Sequence, residues 1–258
     1  MPTRTSLRRS QVLRAVVFAA GAGWMAGGCE TADDPVFKLK FPGLMALEVT
    51  PDSATLPIEG ITAAAVDYKA MGRFNNGTKR DLSREVAWAV DVRALGIFSS
   101  NRFQSSLTRG GKGVVTAIGD AVTGRASLTL VYTASHTRSP ADPAAPALFR
   151  AAEPDSARSP RLTSPADDSA LPSSPPPDFA WTAAAGANSD LFELSFSNDV
   201  TDVRIYTTGT RLTPTLEEWS IITATNAGGS VQVGLRALSS ANPSKAASAS
   251  PITVRFAP

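Results

Sequence analysis

The chain has 258 residues, 25 basic and 23 acidic side chains, one histidine and one cysteine. A single thiol excludes an intramolecular disulfide framework, and so few soft ligands exclude a His/Cys metal cluster. The near-neutral balance supplies no global field for nucleic acid.

The chain opens with Arg4, Arg8, Arg9 and Arg14, followed by an apolar run, Ala15–Gly28, of Ala, Gly, Val, Phe, Trp and Met. A basic start, a short apolar stretch and small residues at the break form the plan of an export signal over residues 1–28. Fourteen residues at ~1.5 Å each span about 21 Å, short of a ~30 Å hydrocarbon core, which argues against a spanning helix. The triplet Ala26-Gly27-Gly28 before Cys29 resembles the lipobox of bacterial lipoproteins. That resemblance implies cleavage after Gly28, diacylation of Cys29, and anchoring to a membrane of the cell envelope, the outer membrane in the first instance. An ordinary secretory peptide is the alternative, and Arg8-Arg9 leaves a twin-arginine export route open beside the general one. Loss of the signal removes four arginines and no acids, leaving 21 basic against 23 acidic residues.

Residues 29–35 read as a tether. The next segment, 36–134, carries twelve Lys/Arg against eight Asp/Glu and alternates with period two rather than 3.6. Val86, Trp88 and Val90 share one face, as do Val115 with Ala117, and Leu128, Leu130 and Tyr132. Asn76-Gly77, Gly110-Gly111 and Gly119-Asp120 are turn signals between such runs. Phe98 and Phe103 flank the polar stretch Ser99-Ser100-Asn101-Arg102, as two strand residues around a turn or as an exposed tip. From 135 to 160 the chain is rich in Pro and Ala, and is expected to be a disordered linker giving a second module wide reach. The last segment, 161–258, has six basic residues against nine acidic. Its apolar positions again alternate: Phe192/Leu194/Phe196, Val203/Ile205, Val231/Val233/Leu235 and Ile252/Val254/Phe256. A short helical turn is predicted at Thr215–Trp219, with Thr215 as cap and Glu217 and Glu218 at the positive dipole end. The fold class expected is all-β: two Ig-like sandwiches joined by a Pro/Ala-rich linker and preceded by a signal peptide.

Particular residues sharpen this. Leu47-Glu48-Val49-Thr50-Pro51, Asn76-Gly77-Thr78 with Asp81-Leu82-Ser83, Val86-Ala87-Trp88, Val114-Val115-Thr116-Ala117 and Ala126–Leu130 resemble the bacterial Ig-like group 2 domain over nearly all of 36–134. The resemblance implies that Trp88 packs between sheets and that the Asn76 stretch is a hairpin. The segment 161–258, with Trp181 on an early strand, resembles a fibronectin type III-like module. Together the two are similar to the N-terminal part of large myxobacterial lipoproteins in which a β-propeller follows. The chain stops at Pro258, so a shortened relative of that group is one reading.

No catalytic set emerges from the residue pattern. His136 falls in the expected linker, where nothing would hold a base, and the G-x-S-x-G, phosphate-loop and G-x-G-x-x-G patterns are missing. The acids Asp167-Asp168 and Glu217-Glu218 fall at turns or helix starts, and Asp199 with Asp202 is a weak candidate for Ca²⁺. Trp219, Phe98 and Phe103 are the candidate contact surface. The expectation is a non-catalytic protein with neither cofactor nor metal. Its partners would be the membrane, through acyl chains, and a surface glycan or envelope protein, not nucleic acid. Adhesion is the leading reading, and a structural spacer or accessory subunit the alternative.

Overall fold

A computed structural model describes residues 39–155, 157–186 and 188–257. The expected cleavage residues Ala26, Gly27 and Gly28, the acylation site Cys29 and the tether 29–35 lie outside them. The first half runs through β1 (Leu44–Thr50), β2 (Ser53–Ile58), β3 (Ala65–Asp67), β4 (Lys69–Phe74), β5 (Lys79–Asp81), β6 (Ala87–Val90), β7 (Gly96–Ser99), β8 (Arg102–Ser105), β9 (Gly111–Gly119) and β10 (Val122–Thr137). Three sheets form, in strand order β1-β4-β5, β3-β8-β7 and β2-β10-β9-β6. All three send side chains into one core, including Leu47 and Val49 from β1, Phe103 from β8, Val115 and Ala117 from β9, and Leu128 and Leu130 from β10.

The second half begins with a helix, α1 (Ala145–Ala151), and a short strand, β11 (Glu153–Asp155). Then come β12 (Arg161–Ser164), β13 (Ser169–Leu171), β14 (Phe179–Thr182), β15 (Leu191–Asn198), β16 (Thr201–Thr207) and β17 (Arg211–Leu212). The helix α2 (Leu216–Thr225) precedes β18 (Ser230–Ser239), β19 (Asn242–Ser248) and β20 (Ile252–Phe256). Phe192, Leu194 and Phe196 of β15 face Phe179 and Trp181 of β14 across a second core. The alternation read from the sequence therefore points the intended residues inward in both halves, and the all-β expectation holds.

Within 135–160, expected to be a disordered linker, the described residues 135–155 and 157–160 are built otherwise. β10 is sixteen residues long and serves both halves. It pairs antiparallel with β9 from Val122 to Leu130, and parallel with β2 from Ser127 to Tyr132. It then pairs parallel with β16 from Tyr132 to Thr137. The backbone N–H groups of Tyr132 and Arg138 donate to Val200 O and Tyr206 O at 2.9 Å each. The free edge of β16 thus satisfies a backbone whose side chains alone would not order it. Beyond it, Ala145 and Phe149 of α1 are buried with Leu191, Tyr206 and Leu238 in a third cluster. Phe149, with Leu148 packed beside it, seats an otherwise alanine-rich turn of chain because the sheet supplies a ready surface.

The junction is tight. An ideal Cβ on Gly110 would come 2.3 Å from Val200 O and 2.9 Å from Thr225 Cγ2, so only glycine allows this approach. Its N–H donates to Thr225 Oγ1 at 3.2 Å.

Candidate functional site: a polar groove at the module junction

On β16, Val203 and Ile205 enter the core, so Asp202, Arg204 and Tyr206 point to the opposite face. Parallel register sets Thr133 beside Asp202, Ser135 beside Arg204 and Thr137 beside Tyr206. On the other flank Glu193 pairs with Tyr206, and Arg236 of β18 with Glu193. The outer face of this continuous sheet is therefore a charged and hydroxyl-bearing floor. The loop after β2 supplies one wall, through Glu59 and Ile61, and α1 the other, through Pro146 and Arg150. The groove between them has a volume of about 680 Å³.

Glu193 is 3% exposed, an unusual place for a carboxylate. Arg236 Nη1 approaches its Oε1 at 3.4 Å, and Arg204 Nη1 is 3.8 Å from its Oε2. Oε2 has no hydrogen-bond partner of normal geometry among the described residues. Arg236 is itself anchored, donating from Nη2 to Phe149 O at 3.0 Å with its guanidinium 5.3 Å from the Phe149 ring centre. Arg204 is held on its other side by Asp202, Nε to Oδ1 at 3.0 Å. That hydrogen bond, set against partial desolvation, holds the Arg204 pKa above its ordinary value. Burial, followed by the negative charge of Glu193, pushes the Tyr206 hydroxyl up to about 12. Two groove side chains, Glu59 and Arg150, are exposed and have neither ion pair nor hydrogen bond among the described residues.

None of the three aromatics expected at a contact surface forms one. Trp219 is 1% exposed, donates from Nε1 to Pro172 O at 2.9 Å and packs against Phe179, Phe196 and Phe256. The helix there is longer than the predicted turn, reaching Thr225, and puts Trp219, Ile222 and Thr223 on one buried face. Its start is as read: Thr215 Oγ1 accepts from Glu218 N at 3.2 Å, and Glu218 Oε2 accepts from Thr215 N at 2.8 Å. Phe103 is fully buried, and Phe98 is half-buried in a stack on Trp88 with ring centres 5.6 Å apart. Of the two alternatives, strand residues around a turn is the one observed: Phe98 and Phe103 are directly opposite across the hairpin and turn inward, leaving Ser100 and Asn101 at the tip.

His136 is on β10 rather than in a loose linker, with Nδ1 3.6 Å from Glu218 Oε1. Arg138 also contacts Glu218, so two residues of the supposed linker clasp α2. Asp199 and Asp202 do not converge: Asp199 pairs with Lys112 at 2.7 Å and Asp202 with Arg204. Asp167 Oδ1 accepts from Thr253 N and Asp168 pairs with Arg255, local roles at a turn.

The groove was missed, although a signal for it exists. Leu191-Phe192, Ile205-Tyr206 and Ala237-Leu238 are doubled buried pairs inside alternating strands. Doubling means that both faces of the sheet are covered.

No family model and no curated protein matches the chain. Solved structures that are similar include the N-terminal four Ig domains of Dscam1 isoform 6.9, at TM-score 0.26 and 12% identity over 83% of this chain and 47% of that one. Ig domains 1–4 of Sidekick-1 give 0.24 and 11%, over 83% and 52%. Fibronectin(III)-like modules of Clostridium thermocellum CbhA give 0.26 and 9%, over 81% and 92%. The chain spans about half the length of the Dscam1 fragment.

Proposed function

We propose that this chain is a lipid-anchored protein of a bacterial cell envelope whose two sandwiches act as one non-catalytic interaction module. The sequence Ala26-Gly27-Gly28-Cys29 supports the anchor, with the acyl chains on Cys29. The observation that carries the interaction reading is the sharing of β10 by both sandwiches, which places a polar groove at a fixed point between them. A flexible double module would present two independent surfaces, whereas this one presents a composite surface that neither half has alone. The ligand is a glycan or protein of the envelope or its surroundings.

The same shared strand favours a second reading, a rigid spacer that holds another envelope component at a set distance. Protease shaving of intact cells, with mass spectrometry of the mature N-terminus, tests the proposal. A diacylated Cys29 and modules digested on whole cells are expected. An unmodified N-terminus overturns the anchor. Protected modules that co-purify with one fixed envelope partner favour the spacer.

A further inference from the structure

We infer that the junction groove is a binding site for a short zwitterionic peptide, with an ammonium at one end and a carboxylate at the other. The inference rests on the interaction reading above and goes beyond it, because a short free-ended peptide is neither the glycan nor the protein named there. The charges that belong to the fold are already matched: Asp202 with Arg204, and Glu193 with Arg236 and Arg204. Two charges remain unmatched, and they are of opposite sign on opposite walls. Glu59 is on the loop after β2, and Arg150 is on α1. A ligand with one sign of charge would satisfy one wall and be repelled by the other. A neutral sugar would use neither ion pair.

Three further features suit a peptide. Ile61 is 86% exposed on the lip beside Glu59, an apolar contact for an aliphatic side chain next to the ammonium end. The volume of about 680 Å³ suits a ligand of two or three residues. Arg150, a planar donor fork on a helix seated by Phe149, suits a carboxylate.

The test is calorimetric titration of the full chain with leucine, alanyl-leucine and alanyl-leucyl-alanine, with N-acetylated and C-amidated forms of the best binder and with maltose. Saturable binding of a free-ended peptide is expected, weakened about tenfold by blocking either end, the loss of one charge-assisted hydrogen bond. Arg150→Ala should remove the preference for a free carboxylate, and Glu59→Gln the preference for a free amine. Both positions are exposed, and circular dichroism of the variants should match the parent. Three results overturn the inference: no saturable binding up to ~10 mM, affinity indifferent to end-blocking, or binding of maltose in place of the peptides. Acylation of Cys29 and protease accessibility are measured separately, so failure here leaves the anchored-module reading to stand or fall on its own data.

Discussion

The two sandwiches fill their cores by different means. The first has sheets of short strands, and its end is filled by an aromatic group in which Tyr68, Trp88, Phe98 and Phe103 meet at centre distances of 5.4–6.0 Å. The second seals its core with the helix α2, whose Trp219 meets three phenylalanines. They also differ on their outer faces. The sheet of the first half leaves Val114 and Ile118 of β9 more than a third exposed. The sheet of the second half is covered by α1, which buries Leu191, Leu238 and Tyr206 and traps Glu193. A sheet covered on one side tolerates alternation, while a sheet covered on both must double its apolar residues and pair any charge it keeps.

The largest test of this contrast is truncation of the two plugs. Trp219→Ala and Phe103→Ala each remove a fully buried ring and should cost about 3–5 kcal/mol in urea denaturation. Phe98→Ala, half-buried, should cost on the order of 1–3 kcal/mol. If Trp219→Ala were neutral while it abolished binding to a partner, the contact-surface reading would return.

Next comes the junction. Gly110→Ala pushes a methyl group into Val200 O and should cost about 1–3 kcal/mol by overpacking. If the halves are coupled as one body, it should also separate a single unfolding transition into two, seen by calorimetry. Glu218→Gln keeps an acceptor for the cap but loses the charge facing Arg138. It should cost about 1–3 kcal/mol, a charged hydrogen bond exchanged for a neutral one.

The tyrosines sharpen the comparison by titration. Burial raises the pKa of Tyr68, and at Tyr132 the charges of Glu217 and Glu218 add to it. Tyr206 is pushed to about 12. The neutral phenol is favoured in the folded state, so this stability is fully present below the unfolded value near pH 10 and is lost as pH rises toward 12. At pH 10, where a free phenol is about half ionised, absorbance at 295 nm should therefore be lower in the folded than in the unfolded chain. Equal absorbance of the two at pH 10 would refute the burial of these hydroxyls. The smallest effect is expected at Lys112→Ala, which removes an exposed pair with Asp199 and should leave the denaturation midpoint unchanged.

Much of each sandwich was legible in the chain. The alternation in Leu128, Leu130 and Tyr132, or in Phe192, Leu194 and Phe196, assigns inward faces because a strand has only two sides. The Thr215 cap and the Asn76-Gly77 turn were readable because their hydrogen bonds are local, with Asn76 Oδ1 accepting from Thr78 N at 3.0 Å. The groove was not legible, because its residues come from the loop after β2 and from β10, α1, β15 and β16, and meet only through pairing across the junction. Trp219 was misjudged for a related reason: a helix start can be read from a cap, but which face is buried depends on what lies beneath it.

The sequence by itself determined the period of the strands, their inward faces and the helix cap. Only the tertiary structure decided that residues 135–155 and 157–160 are ordered and that Glu193 is buried. It also left Glu59 and Arg150 facing one groove unpaired. Local patterns carry the first group, since each depends on neighbours a few residues away. The second depends on the edge of β16, brought to β10 from about 70 residues further along the chain, and no local window contains that edge.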